Sequence, residues 1–337
     1  MKYQFLFFLM VIISCTKPLP KAVKTLNETK ESIVFIAGFD EGDNTYYTNA
    51  KNYFKGQGLK VIDNLYSVAE IVTYLNENSA NVYEKVHIVS HSNAWLGMSL
   101  KTSKNGERIT VESILKEREN NNINVLKSGV THESKIIFHS CGLGENKALL
   151  EQLKQVFTIN KELNPTIVAS SFFNVFGGKY AGHYLAKPYY GYYPTAESPG
   201  PTALSKEFKV SYPNQKIDWF TALKTRKEAS LGEPYSYKFN IPVEWEFTFD
   251  DSSEIPLLKN RDEIMDWVSE DAEMASTLFA LQIPIEKYRW RSKIKGNTLY
   301  IKGKTTVLCV LEPILEDNDA SEYKNLDYKD DSLYQIL

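Results

Sequence analysis

Lys135-Ile136-Ile137-Phe138-His139-Ser140-Cys141-Gly142-Leu143-Gly144 decides the fold. Its apolar residues run together without alternation, the pattern of a strand covered on both faces, and they stop at a Ser-Cys-Gly turn. On the C-terminal side, Asn146 to Phe157 has helical spacing of apolar residues, and Pro165 to Ser170 is another short apolar run. On the N-terminal side, Val86 to Ser90 repeats the strand pattern, followed by Met98 to Leu100, a turn at Lys104-Asn105-Gly106 and a helix over 111–119. Further back, Ile33 to Ala37 stops at Gly38, a helical stretch over 45–57 closes at Gly58, and a strand at 59–62 precedes a helix at 67–76. Strands alternating with helices predict an α/β domain: a mostly parallel sheet, right-handed crossovers, helices on both faces.

In such sheets ligands bind beyond the carboxyl ends of the strands. Four of those ends carry polar or reactive groups: Asp40 and Glu41, His91, Cys141, and the Ser170-Ser171 pair. These are the candidate site residues. A solvated loop is the simpler account of Asp40 and Glu41, and an inert buried thiol the simpler account of Cys141.

Val86-His87-Ile88-Val89-Ser90-His91-Ser92 and the Cys141 segment together resemble the caspase-like cysteine peptidases, nearest the CHAT and clostripain-type members. Those proteins end one strand with a histidine and the next with a small residue followed by cysteine. About 50 residues separate His91 from Cys141, in line with the upstream histidine of caspases. The resemblance covers about residues 33–175 and rests on strand order and the dyad. It implies a caspase-like fold in which Cys141 is the nucleophile and His91 the base or leaving-group acid. Backbone N–H groups at Ser92 and near Gly142 would hold the oxyanion, and no cofactor is implied. Asp40 and Glu41 would line a pocket for a basic substrate residue, with Ser170 and Ser171 beside it. The relatives usually carry glycine where this chain has Ser92, so the oxyanion site depends on whether that amide needs a glycine conformation. The chemistry requires a thiolate, which a neighbouring imidazole can generate, and a helix starting just after Cys141 would favour it. His87 and His139 read as structural core residues, His183 as a surface residue, and Cys309 as a small core side chain.

From Gly177 to Pro201 the pattern breaks into Gly, Tyr and Pro, as in an ordered loop over the rim. Beyond about residue 205 the chain reads as a separate α+β lobe. Phe239 to Phe249 alternates like an antiparallel strand, 261–279 is helical, and 299–310 reads as a hairpin around Gly303. The acidic stretch 316–331 reads as a frayed tail. The expected organisation is thus an α/β domain at 33–205, a lobe at 206–320 and a tail at 321–337.

The N-terminus has its own logic. Lys2 precedes an apolar run from Phe5 to Ile13, shorter than the roughly 20 residues of a membrane-spanning helix but suited to a signal-peptide core. It ends Ile12-Ile13-Ser14-Cys15, which resembles a bacterial lipobox. That implies a leader over 1–15, lipid on Cys15, a tether over 16–32, and a body anchored to the inner or outer membrane and facing the periplasm or exterior. An ordinary secretory signal is the alternative. Net charge is −3 with no basic stripe, which excludes nucleic acid as an expected partner. The expected partners are a peptide or protein substrate and the membrane. No metal-type Cys/His spacing or phosphate loop is present, and Cys141 with Cys309 could pair in an oxidising compartment.

Two rival readings stay open. Ser90-His91-Ser92-Asn93-Ala94 resembles a degenerate nucleophile elbow of a serine α/β-hydrolase, with Ser92 attacking, although its flanking glycines are missing. The other rival is a surface binding lipoprotein that keeps the fold without turnover.

Overall fold

The computed structural model describes residues 31–39, 45–317 and 319–337. Cys15, Asp40 and Glu41 lie outside the described residues, so the anchor and the acidic pocket wall remain sequence expectations.

The first half alternates as its apolar runs predict. β1 (Glu31–Ile36), α1 (Thr45–Gly56), β2 (Lys60–Ile62), α2 (Val68–Glu77) and β3 (Tyr83–Val89) lead into a small antiparallel sheet. That sheet comprises β4 (Ser92–Asn93), β5 (Gly97–Lys101) and β6 (Arg108–Ile109). Then come α3 (Val111–Glu119), β7 (Lys135–His139), α4 (Lys147–Phe157) and β8 (Thr166–Ser170). Strands β2, β1, β3, β7 and β8 lie side by side and parallel. Alternate residues of these strands point to opposite faces. Ile33, Phe35, Val86, Ile88, Ile136 and Phe138 pack on one face with α2, α3 and α4. Val34, Ile36 and Val89 pack on the other with Tyr47, Ala50 and Phe54 of α1.

The second half departs from expectation in four places. First, the segment expected to be a rim loop is largely strand: β9 (Phe173–Phe176) pairs with β10 (His183–Pro194), whose residues 183–186 are buried. Second, α5 (Gly200–Ser211), α6 (Trp219–Lys224) and β11 (Tyr235–Thr248) precede not one helix but two, α7 (Arg261–Glu270) and α8 (Ala272–Leu281). Asp271 separates them by capping the Glu273 and Met274 amides of α8. Third, β12 (Arg289–Lys295) is followed by β13 (Thr298–Pro313), one continuous strand rather than a hairpin turning at Gly303. Gly303 is there for clearance: a Cβ at that position would sit 2.5 Å from the Trp290 ring. β13 pairs with β11 along its length and with β12 and β10 in turn, so this second antiparallel sheet recruits strands from before residue 205. Fourth, the chain end is ordered. β14 (Leu315–Glu316) and β15 (Asp319–Tyr323) pair, and β16 (Tyr334–Ile336) lies antiparallel to β8, closing a six-stranded sheet in the order β16-β8-β7-β3-β1-β2. Leu333 and Tyr334 are buried against Ile137 and Val168, which is why an acidic segment ends in structure instead of fraying.

Among the described residues no helix is long and apolar enough to cross a membrane.

Candidate active site

β1 is flanked by β2 on one side and β3 on the other, so the chain reverses its direction of travel across the sheet there. Crevices at such reversals, beyond the carboxyl strand ends, are where open α/β sheets place ligands. A cavity of about 550 Å³ opens at that edge. His91 and Cys141 both line it, together with Ser92, and the second sheet contributes Phe173, Asn174 and Tyr235 to the opposite wall.

β3 and β7 are neighbours, with Val89 opposite His139, so the residues that follow them emerge side by side. The β3 end is tied down by Ala37 N–H to Val89 O at 2.9 Å and Ser90 N–H to His139 O at 3.4 Å. His91 is held next. Its backbone N–H donates to the Tyr47 hydroxyl at 3.0 Å, and its carbonyl accepts from Ser99 N–H at 2.7 Å and Ser90 Oγ at 3.0 Å. Its ring stacks on Tyr46, centroids 4.5 Å apart, with Tyr47 at 4.8 Å. Neither tyrosine stood out in the sequence. An aromatic pair in the first turn of the helix that follows β1 was the available signal.

Cys141 is a free thiol, 7% exposed. Its sulfur lies 3.8 Å from the Asn174 carbonyl, and burial pushes the thiol up to about 12. Cys309 is also a free thiol, fully buried in the same apolar cluster, where burial again raises it. The helix expected over 146–157 is present as α4, but it does not begin directly after Cys141. Gly142, at φ 68°, opens a short 3-10 turn (Leu143–Glu145), and α4 starts only after Asn146 caps it. The thiol therefore sits beyond the first turn of α4, where a helix-terminus field acts.

The two expected oxyanion donors differ. Gly142 N–H already donates to Phe172 O at 3.2 Å. Ser92 lies in the extended strand β4, a conformation open to any residue, so serine in place of glycine carries no backbone penalty. Ser170 does not reach the cavity. It is fully buried, and its hydroxyl donates to Leu333 O at 2.9 Å as β16 covers it; Ser171 is likewise absent from the lining.

His87 and His139, both expected in the core, form one cluster with His183. His87 Nδ1 and His139 Nε2 are 2.9 Å apart, and His183, expected at the surface, is 7% exposed. Its ring stacks on Phe176 at 4.1 Å, and its Nε2 lies 3.1 Å from Asn174 Oδ1. Burial holds all three imidazoles below their usual range, His139 to about 4. β10 places His183 here, and only its unforeseen pairing with β9 brings it inside. Among the described residues no group of three or more His, Cys, Asp or Glu side chains could hold a metal ion.

Compared with known proteins, the chain matches no family model and no curated sequence.

Proposed function

We propose that the protein is a membrane-anchored cysteine endopeptidase of the caspase-like type, acting on extracytoplasmic peptides or proteins. The observation that carries the reading is that His91 and Cys141, from adjacent strand ends, line one open cavity. Burial favours the neutral thiol over a preformed thiolate at rest. His91 therefore acts as general base. It takes the Sγ proton as sulfur bonds to the scissile carbonyl carbon and the C=O π pair moves to oxygen. Collapse of that adduct breaks the C–N bond, and the imidazolium gives its proton to the leaving amine. Water then hydrolyses the thioester, releasing the carboxylic acid and restoring the thiol. Use of the Gly142 amide for the oxyanion requires the Phe172 carbonyl to move aside.

The serine-hydrolase alternative has less support, because a β4–β5 hairpin follows Ser92 where an elbow needs a helix. A specific observation favours a second reading, a non-catalytic binding lipoprotein: the Cys141 sulfur faces the Asn174 carbonyl and the Gly142 amide is already engaged.

Limiting iodoacetamide on the native protein across a pH series separates the two. The peptidase reading expects Cys141 to be alkylated in the folded state below pH 8, and His91→Ala to slow the reaction at least tenfold. A Cys141 that stays unmodified until the protein unfolds overturns it.

A further inference from the structure

The His91 imidazole is held by aromatic side chains from the first turn of α1. Tyr46 lies nearly parallel to it, at 29° and 4.5 Å between centroids, and Tyr47 leans on it at 59° and 4.8 Å. Each tyrosine is itself fixed. Tyr46 donates its hydroxyl proton to the His139 carbonyl at 2.9 Å, tying the ring to the end of the strand that leads into Cys141. Tyr47 places its hydroxyl over Gly38, where a Cβ would come within 1.8 Å, and from there accepts the His91 amide. One dipeptide thus sets the position of the imidazole and links it to the strand that leads into the thiol.

The faces of aromatic rings carry negative potential and attract cations placed over them. An imidazole that takes a proton from sulfur becomes such a cation only as the reaction proceeds. A stacked ring therefore stabilises the charged state of His91 more than the neutral one, and help that grows with developing charge accelerates the step. Among the described residues, Arg108 from β6, Arg226, Tyr235 and Tyr237 also line the cavity, and the two guanidinium groups carry the same charge as an imidazolium.

We propose that Tyr46 is a positioning residue for the thiol chemistry, stacking on His91 so as to orient the ring and stabilise its imidazolium form. This rests on the dyad reading above, but its central measurement does not require turnover.

The test uses the full-length protein with Tyr46→Leu, Tyr46→Phe and Tyr46→Trp. Two quantities are read: the titration midpoint of the His91 C2 proton by NMR, and the rate of Cys141 alkylation by iodoacetamide against pH. Tyr46→Leu is expected to lower the His91 midpoint by about half a pH unit and slow alkylation about 3- to 5-fold. Tyr46→Phe keeps the ring face and is expected to leave the midpoint unchanged, while Tyr46→Trp holds or raises it. If the leucine variant fails to fold, the phenylalanine and tryptophan variants decide the matter. An unchanged midpoint in Tyr46→Leu, or a fall in Tyr46→Phe or Tyr46→Trp, overturns the proposal. If Cys141 is unreactive throughout while the His91 midpoint moves as expected, the peptidase reading fails and the stacking role stands.

Discussion

His87 Nδ1 lies 2.9 Å from His139 Nε2 in a compartment where both rings are almost fully buried. One hydrogen joins two neutral rings in that contact, and a proton added to either creates a buried charge. Desolvation is the main cause of their lowered affinity for protons, with mutual repulsion second for His87.

Acid should therefore destabilise the protein well before its carboxylates titrate. Unfolded histidines take up protons near pH 6.5, whereas native His139 does so only near 4. Between those values the unfolded state binds more protons, so stability is full above about pH 6.5 and falls as the pH drops toward 4. His139 alone contributes on the order of 3 kcal/mol to that loss. Urea midpoints measured from pH 7.5 to 4.5 check this, and a flat profile would contradict it.

Gly303→Ala tests the continuous strand. The added methyl would meet the Trp290 ring at 2.5 Å and Val243 at 2.8 Å, both packed in the second sheet's core. We expect a loss of about 1–3 kcal/mol by denaturant unfolding, with altered tryptophan emission. Had Gly303 sat at a hairpin tip, the same change would be tolerated.

Tyr334 tests the docking of β16. Its ring is 4% exposed, while its buried hydroxyl has no hydrogen-bond partner among the described residues. Tyr334→Ala should cost about 3 kcal/mol or more through the cavity it leaves. Tyr334→Phe should be neutral or slightly stabilising, because it removes an unpaired polar group. Equal effects in thermal melts would mean that the segment is not packed as described.

Gly38→Ala probes the tyrosine cradle from the opposite side. A Cβ there would overlap the Tyr47 hydroxyl, breaking its bond to the His91 amide. Alkylation of Cys141 should slow roughly tenfold, corresponding to about 1.4 kcal/mol of lost positioning. Circular dichroism should stay near that of the parent. Unchanged alkylation would show that Tyr47 is dispensable to the ring.

Much of the α/β half was legible because each element announces its own environment. Ile33 to Ala37 and Ile136 to Phe138 are unbroken apolar runs, and only strands buried on both faces need them. The neighbouring positions of His91 and Cys141 were legible for the same reason, since both residues sit where those runs stop. His183 was misread because its neighbours are glycines and tyrosines, which suit a loop as well as a strand. Its burial comes from Phe176 and Asn174, brought in by strand pairing. Ser170 was misread because nothing near it indicates that β16, from the far end of the chain, covers it. Gly303 looked like a turn because clearance for a Trp290 ring on another strand leaves no local trace.

The order of strands and helices in the α/β half, and the placing of an imidazole and a thiol at strand ends, follow from the sequence alone, because periodicity records burial residue by residue. Which residues surround those groups was decided only in three dimensions. Tyr46 over His91, Asn174 against Cys141, and β16 over Ser170 are contacts between distant segments. They depend on register and sheet order, which local pattern does not encode.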